Sequence, residues 1–156
     1  MTKTHLYTAR NTWTGNTGKG TSNYKEYERC HEISIPGKQT IHASSDPNFR
    51  GDPNKYNPEE LLVGSLSGCH MLWYLHFCAV NKVVVVSYVD DAEGTMIEHE
   101  DGSGEFTSAT LRPRVTVTQN EMVERARELH EQAHKFCFIA RSVNFEVIIE
   151  PEILVA

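Results

Sequence analysis

The sequence predicts an α+β fold with two helices and six or more strands. Three observations carry that prediction. The first fifty residues alternate short extended runs with turn residues. A long, nearly uncharged stretch over 61–80 follows a strong helix-start signal. A second stretch, ending near Cys137, repeats apolar residues at helical spacing and has strand-like segments on either side.

In order along the chain, residues 14–20 (Thr-Gly-Asn-Thr-Gly-Lys-Gly) are a turn, and Ile35-Pro36-Gly37-Lys38 joins strands over 30–35 and 39–43. Residues 44–56, rich in Asp, Pro and Asn, form the longest connection, the kind of loop that often carries function. Asn57 can act as an N-cap, with Pro58 at the first helical position and Glu60 placed to reach back in a capping box. Leu62, Leu66, Leu72, Trp73, Leu75 and Phe77 fall on several faces of this first helix, so most of its sides should be buried. A strand follows over 83–89. Residues 90–94 turn the chain, 95–98 are short and extended, and 101–104 turn it again. Ala109, Leu111, Val115 and Val117 then share one face of a strand in which Pro113 marks an edge or bulge. Asn120 can cap a second helix whose apolar face is Val123, Ala126, Leu129 and Ala133, with Cys137 next on that face. A last strand over 143–149 stops at Pro151.

A chain of 156 residues without repeats or low-complexity linkers reads as a single domain, 1–156. Fifteen basic against 21 acidic residues, a net charge of −6, argue against nucleic acid as a partner, because phosphate binding needs a basic field. No run approaches the ~18 apolar residues of a membrane span, so no membrane partner is expected. The N-terminus shows no secretory apolar region, and four cysteines without an export signal point to a reducing, cytoplasmic setting. One other helix and one sheet cannot easily cover a helix that is apolar all round. A second copy of the chain would do so, and a homodimer is expected.

The four cysteines differ. Cys69 and Cys78 share the first helix but point to opposite faces at ~100° per residue, so they cannot bond each other. Cys30 and Cys78 read as small buried hydrophobes. Cys69 follows Gly64-Ser65-Leu66-Ser67-Gly68, and two mid-helix glycines cost roughly 1 kcal/mol each relative to Ala, which implies a close approach there. His130, His134 and Cys137 recur on one helical face and raise a metal site as an alternative, although no further ligand motif accompanies them.

Asn57-Pro58-Glu59-Glu60-Leu61-Leu62, the small residues and Cys69 together resemble the signature of the OsmC/Ohr family (osmotically inducible protein C and organic hydroperoxide resistance proteins). Ala133-His134-Lys135-Phe136-Cys137-Phe138-Ile139-Ala140 is similar to that family's second-cysteine segment. Phe138 stands where a Pro is usual, His70 where an aromatic is frequent, and Trp73 and Tyr74 where residues are smaller, which marks a divergent subgroup. The resemblance implies an OsmC-like fold: an N-terminal antiparallel β-meander, a long buried central helix, further strands and a second helix, in an intertwined homodimer. It also implies a thiol-dependent peroxidase acting on organic hydroperoxides, with antioxidant function, no cofactor and no metal. Cys69 would become a sulfenic acid, Cys137 would resolve it to a disulfide, and an external dithiol would reopen that bond.

The family supplies a Glu and an Arg near the reactive thiol. Glu59 matches the Glu by motif, although an acid there also complements the helix dipole. Arg50, in the long loop, is favoured for the Arg, with Arg29 the alternative. Ten residues of helix separate Glu59 from Cys69 by about 15 Å, so the Glu would have to come from the partner chain, through antiparallel helices crossing at Gly64. Trp73, Phe136 and Phe138 are candidates for an apolar substrate wall. A binding protein of the same fold without turnover is the alternative function.

Overall fold

The central helix starts at the cap its sequence encodes. In the computed structural model, which describes residues 2–156, helix α1 spans Pro58–Val80. The Asn57 N–H donates to Glu60 Oε2 at 3.1 Å, and the Glu60 N–H donates to Asn57 Oδ1 at 2.8 Å. Two of the first-turn donors that no helix can satisfy internally are thus reciprocally bonded.

The chain packs as two compact units that divide at Leu61/Leu62, within α1. The first contains the antiparallel sheet β1 (Arg10–Trp13), β2 (His31–Ser34) and β3 (Ile41–Ala43), in that order. The loop over 44–56 is firmly tied. It holds a 3-10 turn at Pro47–Phe49, the Ser44 N–H donates to Tyr56 O at 2.9 Å, and the Asp52 N–H donates to Ser44 Oγ at 3.1 Å.

The second unit contains β4 (Val85–Asp90), β5 (Glu93–Glu98), β6 (Gly104–Leu111), β7 (Pro113–Val117), α2 (Val123–Phe136), β8 (Glu146–Ile149) and β9 (Glu152–Val155). Its two sheets have the orders β4-β7-β9 and β5-β6-β8. β4 pairs antiparallel with β7 and β5 with β6, while β8 and β9 run parallel to β6 and β7. Residues 90–94 therefore do not reverse the chain as expected. β4 and β5 are one arm of a long hairpin, interrupted at Asp91-Ala92, and the reversal comes after β5. Pro113 is likewise not a bulge within one strand. It opens β7, where a residue without an N–H is tolerated, after Arg112 has passed the chain from one sheet to the other. Asp90 organises this break: its carboxylate accepts the Ser67 hydroxyl from α1 and, at 2.7 Å, the Arg112 N–H. The last arm is broken similarly at Glu150-Pro151, so a strand, β9, lies beyond the proline that was expected to end the fold. Gly94 lets α1 approach β5, because a Cβ there would meet Val63 and Phe106 at 2.7 and 2.6 Å.

Asn120 does not cap α2. Residues Asn120–Met122 form a 3-10 turn, and α2 begins after it. The predicted apolar face of α2 is buried at Ala126, Leu129 and Ala133, and His130 is buried with them. This face packs with Tyr74, Phe77 and Cys78 of α1, Val83, and Val115 and Val117 of β7 to make the core. α1 is buried only along Leu66, His70, Tyr74, Phe77 and Cys78, whereas Leu72 is 65% exposed. Its mean hydropathy reaches 1.2 and only 28% of its most apolar stretch is buried, so it passes as a membrane span by length and composition alone. Serines, glycines and histidines interrupt it, so it holds no unbroken apolar run of the length a membrane span needs, in agreement with the sequence.

Candidate functional site

Cys69 and Cys137 are both in the second unit, and the structure brings them together. Cys69 is half-buried on α1; Cys137 is fully buried as the residue that ends α2. All four cysteines are free, and Cys69 lies close enough to Cys137 to act on the titration of its thiol. The end of α2 positions Cys137. Its N–H donates to Ala133 O at 2.9 Å, its carbonyl accepts the Arg141 N–H at 3.1 Å, and the Ala140 N–H reaches its Sγ at 3.5 Å. Burial pushes the Cys137 thiol up to about 11, against the opposing pull of the Ala140 amide and with a further upward push from Cys69. Cys137 therefore holds its proton at neutral pH.

An aromatic group flanks the pair. Trp73, one helical turn beyond Cys69, lies 5.3 Å from Phe136 and 5.4 Å from Phe138 between ring centroids, and those two residues bracket Cys137. Phe136 and Phe138 are 47% and 66% exposed, so this wall is open to a ligand rather than closed core.

The other named residues belong to the first unit, apart from the continuation of α1. Glu59 sits in the first turn of α1, about three turns before Cys69 on the same helix, with Oε2 buried and unpartnered among the described residues. Arg50 caps the 3-10 turn in a left-handed conformation (φ 65°) and is exposed. Arg29 is committed locally. Its guanidinium donates to the carbonyls of Tyr27 and Tyr24 and lies 4.0 and 4.4 Å from their ring centroids. Cys78 is buried as expected, but Cys30 is not a plain hydrophobe. It is half-buried, and the Lys55 ammonium donates to its sulfur at 3.0 Å.

The sequence reading missed a buried imidazole pair. His70 Nε2 and His130 Nδ1 are 3.0 Å apart, linking α1 to α2, and the His130 ring stacks on Tyr74 at 3.8 Å. Burial lowers His70 to about 4, helped by His134, and lowers His130 to about 3, helped by His70 and Arg127, so both are neutral at pH 7. The face assigned to a possible metal is therefore divided, with His130 turned to His70 and Cys137 to Cys69. Among the described residues no three His, Cys, Asp or Glu side chains are disposed to hold a metal ion.

The chain is similar to an OsmC-like protein of unknown function from Vibrio cholerae, at 32% identity and a TM-score of 0.84 over 95% of this chain and 99% of that one. It also superposes on organic hydroperoxide resistance proteins from Elizabethkingia anophelis (17% identity, TM-score 0.68, 99% and 100% covered) and Legionella pneumophila (15%, 0.64, 97% and 99%). At those identities the likeness is one of fold. No curated protein sequence matches. The family model described as OsmC-like protein matches residues 51–152, which take in α1, both cysteines and the whole bent hairpin. The order of elements, the two thiols at the junction of α1 and α2, and that match agree, and the chain belongs to the OsmC-like protein family.

Proposed function

We propose that the protein is a thiol-dependent peroxidase that reduces organic hydroperoxides. The observation that supports this most is the proximity of two free thiols, Cys69 and Cys137, beside an exposed aromatic wall. Cys69, the more accessible, attacks the terminal peroxide oxygen as thiolate. The O–O bond breaks, the alcohol leaves with a proton, and Cys69 becomes a sulfenic acid. The Cys137 sulfur then attacks the Cys69 sulfur, its proton leaves with the hydroxyl as water, and a disulfide forms. A dithiol supplies the two electrons and two protons that restore both thiols. The requirement for that reductant is consistent with a cytoplasmic setting.

In this reading Glu59 and Arg50 serve the Cys69 pocket, with Glu59 supplied by the partner chain of a homodimer. The unpartnered, buried Glu59 Oε2 supports a role beyond the helix dipole, and the local commitment of Arg29 favours Arg50. The uncovered apolar face of α1 supports the dimer, as do Gly64 and Gly68, which have nothing within 4 Å of where a Cβ would stand.

Reduced protein is treated with a small excess of cumene hydroperoxide and its disulfides are mapped by mass. Wild type should form Cys69–Cys137 within one chain, with Cys30 and Cys78 still free. Cys137→Ser should consume one equivalent and stop at the sulfenic or a higher acid, and Cys69→Ser should consume none. A Cys69 that stays a free thiol in wild type would overturn the proposal in favour of a binding protein of this fold.

A further inference from the structure

The flank of α2 beside its core face lines a cavity. Ala126, Leu129 and Ala133 enter the core, and Cys137 ends that line. Next to them Arg127, His130, Glu131, His134 and Lys135 face a cavity of about 490 Å³. Its opposite wall is apolar: Val147 and Ile149 of β8, and Pro151. The volume is that of a small-molecule site, of the order of 300–1,000 Å³. Neither Cys69 nor Cys137 lines it.

The polar groups here are unspent. His130 lines the cavity and is 2% exposed; its Nδ1 is engaged with His70, and its Nε2 has no partner among the described residues. His134 Nδ1 is also buried and unpartnered. A fold that removes a ring nitrogen from water without pairing it gives up hydration for nothing, unless something else binds there. Arg127 and Lys135 make no ion pair among the described residues, and Glu131 is the single acid of the lining. The charge thus favours an anion, and the opposite wall favours one with an apolar body.

We propose that this cavity binds a small organic carboxylate, with its oxygens on His130 Nε2–H, Arg127 and Lys135 and its apolar part against Val147, Ile149 and Pro151. The imidazole pair suits this role. Two neutral rings that share one hydrogen bond have one further N–H between them, at His70 Nδ1 or at His130 Nε2. An anion selects the second arrangement, in which His70 Nε2–H donates to His130 Nδ1 and His130 Nε2–H donates to the ligand.

Octanoate is titrated into the reduced full chain by calorimetry, with 1-octanol as the neutral probe of equal length. One saturable site per chain is expected for octanoate, with at least tenfold weaker binding of octanol. Arg127→Ala/Lys135→Ala, which alters exposed side chains only, should weaken octanoate at least tenfold. In ¹⁵N-histidine-labelled protein the His130 Nε2 resonance should shift on binding and the His42 resonances should not. Cys69→Ser should bind octanoate as wild type does, so loss of peroxidase chemistry leaves this result standing. No saturation at millimolar octanoate would overturn the proposal. So would equal binding of octanol, or undiminished binding by the double variant.

Discussion

Lowering the pH from 7.5 to 5.0 should destabilise the protein through His70 and His130. Both have folded pKa values depressed from 6.5, to about 4 and about 3, chiefly by burial. Above pH 6.5 neither state binds these protons, and the contribution to stability is flat. Below it the unfolded chain takes up two protons that the folded chain refuses, until the folded values are reached near pH 4 to 3. Each proton withheld costs about 1.4 kcal/mol per pH unit once the unfolded histidine is fully charged, so the pair removes roughly 4 kcal/mol by pH 5.0. Set against a typical ~5–15 kcal/mol for a domain, that loss is severe. The groups around the pair do not relieve it: Arg127 and His134 disfavour a positive charge there, and Tyr74, stacked on His130, stays protonated because burial raises it. The assay is urea unfolding at fixed protein concentration at the two pH values, for wild type and for His70→Leu/His130→Leu. Replacing both rings avoids leaving one unpaired nitrogen behind. Wild type should lose about 4 kcal/mol and the double variant far less. A wild-type loss below about 1 kcal/mol, or an equal loss in the double variant, would refute the reasoning.

Three further outcomes follow from named contacts. Leu129→Ala empties a 1%-exposed position in the core and should cost about 2–5 kcal/mol in denaturant unfolding. Asn57→Ala removes one half of the capping box and should cost about 1 kcal/mol by the same measurement. Because Cys137 is pushed up to about 11, closure of the disulfide after a single peroxide pulse should still be accelerating between pH 8 and pH 10 in rapid-quench experiments; a plateau by pH 8 would contradict the burial that raises it.

What could be read in advance depended on how far each signal reaches along the chain. α1 was legible to the residue because its start is fixed by groups three positions apart, Asn57 and Glu60. The apolar face of α2 was legible for the same reason, being a local periodicity. The turn over 90–94 and the edge or bulge at Pro113 were misjudged because the same Asp-, Gly- and Pro-rich chemistry serves to reverse a chain and to break a strand that continues. Which of the two happens is decided by distant partners: Asp90 accepts from Ser67 on one side and Arg112 on the other.

The candidate site divides along the same line. Two cysteines on different helices could be recognised from their flanking motifs, and the fold supplies the rest by ending α2 against α1. His70 and His130 had no such flag. Sixty residues apart, each was read in its own neighbourhood, His70 as an unusual neighbour of Cys69 and His130 as one member of a metal-like row. The usable signal was that His130 lies beside the stripe Ala126, Leu129, Ala133, where a polar ring must find a partner or be expelled. That partner had to come from the buried face of α1, and His70 is the only histidine on it. The pairing satisfies one nitrogen of each ring and leaves the other of each buried without a partner among the described residues. On the His130 side the ring lines a cavity that also holds Arg127 and Lys135, so the same residue that joins the helices also borders a ligand-sized space with one of its ring nitrogens unpartnered among the described residues.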